Sequence, residues 1–497
     1  MSEPWELTAC AARDLIGRGE LSPVELLESC LHRIDDVDPA VNALVIRADE
    51  RARAEARAAA DALVRGAGTR GGGGLGPLHG LPVAIKDLQA TAGIRTTYGS
   101  PDFEHHVPAA DAGIVRRVRA AGGIVVGKTN IPERSIGANT VNRLFGATGN
   151  PFDTERTCGG SSGGSAVALA TGMVPLATGS DHGGSLRIPA CYCGVVGHRA
   201  TPGVVPFEER SITQTFYSVQ GPMGRTVADT ALLLSVVAGR DRPGDPMAFP
   251  LDTPALARLE PVDLSRLRVG VSEDLGGVLV SGAIRRTFAD RVARIQGLVG
   301  SCRPVAVDLR PAAEVDWLLR SDVFVTQYHE EAQGWDERFN PNIRSSYNSA
   351  LATPMEWIAA ARHTQMALYR QFQALFDEVD VVLCPGVSVP PFPWRQLYPL
   401  EVDGAPVENY MAWLTLTAAI TVIGHPVTAL PCGLDEQAMP FGLQVIGPAY
   451  GDNRLLSVSA ALEEALAGDP VTARPVPRFD GPQPETPSLR TDGREVH

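Results

Sequence analysis

The stretch CGGSSGGSAVALATGMVPLATGSDHGGSLRIPA, residues 158 to 190, contains two Gly-Gly-Ser clusters separated by one short apolar segment. Ser161 and Ser185 lie at the centres of these clusters. Glycine weakens the interior of helices and strands, so its concentration at two neighbouring points requires a reason. Three explanations are open: a phosphate cradle, two tight turns, or two hydroxyl groups brought to one reacting atom.

The apolar segment between the clusters predicts how the two serines are arranged. Residues 162 to 171 are rich in Ala, Val and Leu and predict a helix of about ten residues, about 15 Å long. The following MVPLATGS predicts a strand of similar length that returns in the opposite direction. Ser161 and Ser185 should therefore lie close together. Two hydroxyls beside free backbone N–H groups are typical of a nucleophile with an oxyanion hole.

Composition and charge restrict the class of protein. By length the 497 residues allow about three domains, and an apolar fraction of 44% is enough for a large core. The net charge of −13 argues against binding to nucleic acid or to an anionic membrane. Neither a membrane-spanning run nor a secretory signal is evident, and the cysteines show no disulfide or zinc spacing. We therefore expect a cytoplasmic protein with reduced thiols.

Lysine is nearly absent from the chain, which makes its two positions informative. Among 44 basic residues, only Lys86 and Lys128 are lysine. Arginine keeps its proton in proteins, whereas a buried lysine can lose it. Lys86 follows the apolar run Val83 to Ile85 and should lie at the end of a buried strand, where α/β proteins usually place their chemistry.

Three segments are predicted along the chain. Residues 1–76 form amphipathic helices, one of them capped by Ser22, followed by a Gly-rich connector. Residues 77–468 form the catalytic domain, in which apolar runs alternate with helical stretches as in α/β folds. Residues 469–497 form a Pro-rich tail that we expect to be disordered. Inside the middle segment, strands are predicted within 267–276, VDVVLCPGV and PVTALPCG, and helices over 281–378.

Other chemical interpretations of the serine clusters fit less well. A phosphate loop requires a Lys after its last glycine, and neither cluster has one. GGSSG matches the G-x-S-x-G elbow of α/β-hydrolases, but a polar loop precedes it where that motif requires a strand. A metal site is also unsupported, because no H-E-x-x-H motif occurs and the histidines do not cluster. We expect no metal and no other cofactor.

Several further motifs make the chain similar to the amidase signature family. They are PLHGLPVAIKDL, AGGIVVGKTNIPE, FGATGNPFD, GGSSGGSAVALATG, GSDHGGSLRIPA, CGVVGHRATPG, GPMGRTVAD, GHPVTALPCG and MPFGLQVIG. The resemblance covers nearly the whole chain. It implies one large domain, an α/β/α sandwich around a large mixed, mostly parallel sheet with the N-terminal helices packed on it, and so replaces the estimate of three domains.

The resemblance also implies the roles of the site residues. Ser185 matches the family's nucleophile, Ser161 its cis serine, and Lys86 its base. The backbone N–H groups of the oxyanion hole fall at His182, Gly183, Gly184 and Ser185. Independently of the resemblance, Ser185 needs a base, and a buried neutral Lys86 can receive its proton through Ser161. His182 departs from the family, which commonly has threonine or a small apolar residue there, and we expect its side chain to be neutral to the mechanism.

Two functions from different classes stay open. The first is a stand-alone hydrolase of a small or aryl amide, a carbamate (a urethanase activity) or an ester. The alternative is the glutaminase-type subunit of a tRNA-dependent amidotransferase, which needs a partner protein and a glutamine-reading basic residue in its C-terminal half. We place the hydrolase first, because the region 340–372 lacks the pattern that we associate with such subunits. The expected partners are then the small substrate and at most a second copy of the chain, without nucleic acid or membrane.

Specificity is the least determined property. The acyl pocket should involve the segment after TPG, the helical region around 321–350 and the stretch 410–424. These segments contain aromatic side chains that indicate an apolar or aryl-accepting pocket. The candidates are Phe207, Phe216, Tyr217, Phe324, Tyr328 and Trp413.

Overall fold

An eleven-stranded mixed sheet forms the centre of the molecule. The computed structural model describes residues 3–65, 75–240, 244–335 and 340–494. The strands are β1 (Leu44–Arg47), β2 (Pro82–Lys86), β3 (Ile124–Thr129), β4 (Val141–Asn142), β5 (Gly146–Ala147), β6 (Gly149–Asn150), β7 (Asp153–Thr157), β8 (Leu176–Asp181), β9 (Val196–Arg199), β10 (Val219–Gly224), β11 (Arg268–Val271), β12 (Ser301–Pro304), β13 (Val381–Pro385), β14 (Glu401–Val402), β15 (Ala405–Pro406), β16 (Val427–Leu434) and β17 (Pro440–Ile446). Residues 66–74 of the predicted connector lie outside the described residues.

The sheet has parallel strands towards both sides and antiparallel strands in the middle. Its order is β1-β3-β2-β8-β10-β9-β16-β17-β13-β11-β12. β2 runs parallel to β3 and β8, and β11 runs parallel to β12 and β13. From β8 to β13 each neighbouring pair is antiparallel. The buried apolar runs of β2, β3, β8, β13 and β16 match what a sheet covered on both faces requires.

Helices cover this sheet in two sets, which confirms the predicted α/β fold. The α helices are α1 (Ala9–Gly17), α2 (Pro23–Val41), α3 (Asp49–Val64), α4 (Gly113–Ala120), α5 (Gly163–Ala170), α6 (Arg187–Cys193), α7 (Val227–Val237), α8 (Thr253–Leu256), α9 (Gly282–Gln296), α10 (Ala312–Tyr328), α11 (Pro341–Leu351), α12 (Met355–Ala374), α13 (Thr415–Ile423), α14 (Asp452–Ala467) and α15 (Pro487–Arg490). α5 and α6 pack on each other and on central strands, while α7 packs with α1, α4 and α14 and on the central strands β8, β9 and β10.

The N-terminal helices pack on the core, as the family resemblance implied. Ser22 caps α2, and its side chain and that of Glu25 form a capping box. The Arg33 guanidinium donates to the Thr171 carbonyl oxygen (2.9 Å), and Arg225 donates to the Trp5 carbonyl oxygen (2.8 Å). Because such bonds cross from residues 1–76 into residues 77–468, the boundary drawn between them from the sequence stays a prediction.

The two edge strands, β1 and β12, lie where only helices were predicted. β1 pairs with β3, and β12 pairs with β11 at the opposite edge. Each has four residues, and β12 is largely exposed. Short edge strands do not need a continuous apolar run, so their sequences carry little strand signal.

The prediction of a disordered C-terminal tail is wrong for its described residues, 469–494. The Gln483 and Thr486 amides donate to the carbonyl oxygens of Asp36 and Pro39 in α2. Leu489 is fully buried in a small cluster with Trp394 and two other apolar side chains. A Pro-rich composition lowers the conformational freedom that ordering removes, so a few anchored side chains suffice to order such a segment.

Candidate active site

Lys86 lies at the end of β2 with its side chain fully buried. Its Nζ is within hydrogen-bond distance of three hydroxyl groups: Ser161 Oγ (2.7 Å), Ser162 Oγ (3.0 Å) and Ser180 Oγ (2.8 Å). Burial lowers the pKa of Lys86 from 10.5 to about 7, against an opposing effect of the Asp181 carboxylate. Near neutral pH the amine is therefore available as a base.

Ser161 lies two residues before α5 begins at Gly163 and is almost fully buried. The Gly160–Ser161 peptide bond is cis. The helix begins against neighbouring backbone: a Cβ at Gly164 would lie 2.4 Å from the Asn130 amide nitrogen. Only glycine allows this approach, so the first glycine cluster serves to bring Ser161 onto the end of β2.

Ser185 lies in the turn between β8 and α6 and is partly exposed. The two clusters meet directly, because the Ser162 amide donates to the Ser185 carbonyl oxygen (3.2 Å). Within the described residues no hydrogen bond joins the Ser185 and Ser161 hydroxyls. Contacts of this kind are often long in an unliganded site and shorten when substrate binds.

Backbone N–H groups surround Ser185, and they are not equally available. The Gly184 amide donates to Asp181 Oδ1 (2.8 Å), so it is occupied. The amides of His182, Gly183 and Ser185 have no partner among the described residues. The structure therefore leaves three of the four predicted oxyanion-hole donors free and removes Gly184 from that set.

A buried ionic network of two arginines and one aspartate holds this loop. Arg187 donates to Asp181 through Nε (2.9 Å) and Nη2 (3.0 Å). Arg199 joins the same carboxylate through Nη1 (3.1 Å). Burial alone would raise the pKa of Asp181, but the two guanidinium groups hold it well below its ordinary value.

The His182 side chain turns away from the serine–lysine cluster. Its Nδ1 is 2.8 Å from Ser218 Oγ, and its ring lies over Tyr217 with the two centroids 4.8 Å apart. Burial and the charges of Arg320 and Arg199 lower the pKa of His182 well below its ordinary value, so the ring is neutral. This placement suits the prediction that the His182 side chain does not take part in the reaction, which stays a prediction.

Sequence reasoning missed an arginine beside residues 182–185, which we call the nucleophile loop after the role predicted for Ser185. A Cβ at Gly183 would lie 2.9 Å from Arg320 Nη2, so the guanidinium lies directly on this loop. Arg320 comes from α10, donates to both oxygens of Asp316 and lies 5.7 Å from the centroid of the Tyr217 ring. Ser162, Ser180 and Arg199 were missed as well. For Arg320 no motif gave a signal, because α10 is distant in sequence from the loop.

Of the six aromatic candidates, Tyr217 is the one in direct contact with the nucleophile loop, through His182. Trp413 is buried just before α13, a helix whose Thr417 hydroxyl donates to the Gly183 carbonyl oxygen (2.7 Å). The remaining four are placed elsewhere: Phe216 near Tyr369, Phe207 beside Arg210, and Phe324 with Tyr328 in a separate cluster around Ile343 and Tyr347. The aryl-accepting pocket stays a prediction.

The other lysine and a nearby cysteine lie in buried positions that suit a structural role. Lys128 is buried, bonds to the Thr91 and Thr96 hydroxyls, and lies 3.8 Å from Asp87. Cys158 is buried, and burial raises the pKa of its thiol to about 12. Among the described residues, no group of three or more His, Cys, Asp or Glu side chains is placed to hold a metal ion. None of the described helices has both the length and the apolar character needed to cross a membrane.

Comparison with known proteins supports this chemistry. Residues 25–456 match the family described as Amidase. One subunit of the glutamyl-tRNA(Gln) amidotransferase from Streptomyces avermitilis is 34% identical over 93% of this chain and 95% of its own. The corresponding protein of Roseiflexus castenholzii is 34% identical over 97% of this chain and 100% of its own.

Solved structures with the same fold include hydrolases. A bacterial aryl acylamidase of the amidase signature family superimposes with a TM-score of 0.82 at 26% identity, covering 92% of this chain and 96% of the other. A 6-aminohexanoate cyclic dimer hydrolase superimposes with a TM-score of 0.82 at 27% identity, covering 96% and 100%.

These relatives overturn the expectation, drawn from net charge and from placing the hydrolase first, that the chain works without nucleic acid and without another protein. The two relatives described above are subunits of an enzyme named for a tRNA. A net charge of −13 argues against extensive phosphate contacts by this chain alone. It does not bear on contacts that another protein of such an enzyme would make, so the inference from charge was too broad.

Proposed function

The chain belongs to the amidase signature family, an enzyme class that cleaves amide C–N bonds, and we propose that Ser185, Ser161 and Lys86 carry out the reaction. The observation that carries this proposal is the buried 2.7 Å contact between Lys86 Nζ and Ser161 Oγ. A lysine held without solvent and without a directly bonded carboxylate is suited to accept a proton rather than to form an ion pair.

The proposed reaction proceeds in two halves. Ser185 Oγ attacks the amide carbon while its proton passes through Ser161 to the neutral amine of Lys86. The negative charge that develops on the carbonyl oxygen meets the free amides of the His182–Ser185 loop. Lys86 returns the proton through Ser161 to the leaving nitrogen, the C–N bond breaks, and an ester on Ser185 remains. Water then attacks this ester by the same route and releases the acid.

The family does not determine which amide is cleaved. On this question the curated relatives favour the alternative that we placed second, the glutaminase-type subunit of an amidotransferase. Both relatives are subunits of the amidotransferase, similar over nearly the full length of both chains. The sequence argument against this function was that residues 340–372 lack the pattern of such subunits, but Arg320, which precedes that region, lies in the C-terminal half and against Gly183. We therefore propose release of ammonia from a primary carboxamide, within an assembly that includes another protein, as the first candidate.

A stand-alone hydrolase is the second candidate, and a specific observation favours it. The aryl acylamidase superimposes over 92% of this chain, and the partly exposed His182 ring, packed on the buried Tyr217, gives the loop beside Ser185 an aromatic surface. Such a surface can receive an aryl group on either side of the scissile bond.

Purified protein distinguishes the two candidates. The chain alone should be assayed for ammonia release from glutamine and for amine release from acyl anilides, with Ser185→Ala as the matched control. Glutamine hydrolysis that is weak alone and rises at least roughly tenfold with a co-purifying partner protein supports the first candidate. Rapid anilide turnover without a partner supports the second. In either case a fluorophosphonate should label Ser185, and labelling of another residue would show the proposed chemistry to be wrong.

A further inference from the structure

Gln220 carries a buried amide oxygen that has no hydrogen-bond partner. The residue lies in β10 and is 3% exposed. Its Oε1 atom is enclosed, and none of the described residues donates a hydrogen bond to it. Leaving a buried acceptor unpaired lowers stability, and native chains pair almost all such atoms. The Gln220 oxygen is therefore available to a donor that arrives from outside the chain.

The strand register places Gln220 beside the hydroxyl groups that surround Lys86. Gln220 is directly opposite Ser180 in the antiparallel pair of β10 and β8. Opposite residues of such a pair lie on the same face of the sheet, with their Cβ atoms about 4.5–5.5 Å apart. Ser180 Oγ is 2.8 Å from Lys86 Nζ, which is also 2.7 Å from Ser161 Oγ. The Gln220 side chain and the Lys86 amine are therefore neighbours of the same serine.

The group around Lys86 is open on the side of Ser180. Lys86 and Ser161 are buried. Ser180 and Ser185, in contrast, are partly exposed. In the proposed reaction the carbonyl oxygen binds the free amides of the nucleophile loop, and the leaving nitrogen takes its proton from Lys86 through Ser161. A side chain next to Ser180 thus adjoins the Lys86 amine on its open side, where the leaving nitrogen receives its proton.

We propose that Gln220 is a specificity-determining residue whose Oε1 accepts a hydrogen bond from the N–H of the scissile amide, so that the site favours amides over esters of the same acid. The inference rests on the proposed function of Ser185, Ser161 and Lys86 and adds the recognition of the leaving group. It holds for a primary carboxamide and for an anilide, because both carry an N–H. An ester oxygen only accepts, so a bound ester would leave Gln220 Oε1 unpaired.

Steady-state kinetics of the full chain tests this with two pairs of substrates. Propionamide is compared with methyl propionate, and para-nitroacetanilide with para-nitrophenyl acetate, after subtraction of the rates of Ser185→Ala. Gln220→Met keeps the length of the side chain and removes the acceptor. It should lower kcat/KM for the amides about tenfold and leave kcat/KM for the esters within about twofold. Gln365→Met is the matched control, because Gln365 is a second buried glutamine, whose amide donates to the Val422 carbonyl oxygen (2.9 Å), and it should keep the amide-to-ester ratio.

Thermal denaturation of the same variants distinguishes recognition of substrate from a structural role. Because the Gln220 oxygen is unpaired, Gln220→Met removes a buried polar group without breaking a bond to that oxygen, and it should not lower the Tm. Gln365→Met breaks an existing hydrogen bond and should lower the Tm. Loss of amide turnover without loss of stability is what a side chain that acts on the substrate predicts.

Each other outcome overturns the proposal. An amide-to-ester ratio that survives Gln220→Met, a loss shared equally by amides and esters, or an unaltered protein that hydrolyses the esters and neither amide would exclude this role for Gln220. If Gln220→Met does not fold, Gln220→Leu repeats the measurement, and a lower Tm in both variants would show that the amide serves the fold. Fluorophosphonate labelling of Ser185 in the unaltered protein is independent of Gln220. Its absence would refute the proposed function, whereas its presence with an unchanged ratio would refute only this inference.

Discussion

Raising the pH from about 6 to about 8 should increase kcat/KM about tenfold, because Lys86 must be neutral to accept a proton. Burial lowers the pKa of Lys86 to about 7. The neutral fraction therefore rises from roughly one tenth to roughly nine tenths over this interval. The profile should be measured with an amide that does not ionise there. A rate that keeps climbing by about tenfold per pH unit beyond about pH 9 would indicate an ordinary lysine and refute the reasoning.

The same pKa can be measured directly, because the chain has only two lysines. Protein labelled with ¹³C and ¹⁵N in lysine should give two side-chain signals, and Lys86→Arg should remove one and assign both. Burial also lowers the pKa of Lys128, to about 8, so the two signals should titrate about one unit apart. A Lys86 signal that stays protonated beyond about pH 9 would contradict the proposed base.

Stability gives an independent measure of the cost of burying Lys86. A shift from 10.5 to about 7 corresponds to about 5 kcal/mol against the charged form. The unfolded chain keeps this proton up to about pH 10.5, so the penalty is complete below about pH 7 and disappears as the pH rises to that value. Lys86→Met removes the penalty and, with it, up to three hydrogen bonds.

The free energy of unfolding of Lys86→Met, relative to unaltered protein, should therefore fall by about 1.4 kcal/mol per pH unit between about pH 7 and about pH 10. Denaturant unfolding at several pH values measures this difference, in which the titration of all other groups cancels. A difference that does not change with pH would mean that Lys86 keeps the same protonation when the chain folds.

Four further substitutions test the site. Ser161→Ala should reduce amide hydrolysis by roughly 100-fold or more yet leave slow acylation of Ser185 by activated esters, measured as a burst of leaving group. Asp181→Asn should lower the free energy of unfolding by about 3–5 kcal/mol, because two buried guanidinium groups lose their counter-ion, and thermal denaturation should show it. Gly184→Ala should abolish activity, because the φ of Gly184 is 130° and the new Cβ would lie 2.5 Å from a threonine hydroxyl. Gly183→Ala is the matched control. Its new Cβ would come close only to the flexible end of the Arg320 side chain, so this variant should keep a measurable rate.

The sequence predicts the parts of the fold that depend on continuous apolar patterns. The strands β2, β8, β13 and β16 and the helix α5 all occur where apolar runs and glycine positions indicated them. β1 and β12 were missed because an edge strand pairs on one side and needs no apolar run. The order of the last segment was missed because it depends on single contacts, such as that of the buried Leu489, which composition does not encode.

The residues of the candidate site likewise divide into those that the sequence predicts and those that it does not. Lys86, Ser161 and Ser185 are predictable because residue type and spacing limit what each can do. Arg320 is not, because it lies more than 130 positions after Ser185 and only tertiary packing of α10 brings it to the loop. Gly184 shows a second limit of prediction from the sequence. The resemblance implied that its amide binds the oxyanion, but the carboxylate of Asp181, the last residue of β8, takes that amide and turns the loop.

Both glycine clusters occur for the same physical reason: at each of them the backbone passes so close to a neighbouring segment that a side chain would not fit. At Gly164 a helix begins against the backbone after β3, and at Gly184 the loop after β8 passes against α13. A side chain at either position would push its serine away from the end of β2, where Lys86 is buried. Burial of Lys86 then supplies a neutral amine, and the ionic network of Asp181 fixes the loop whose free amides face the developing charge. The clusters thus serve as tight contacts that bring together the proposed base, relay and nucleophile, Lys86, Ser161 and Ser185, from three segments of the chain.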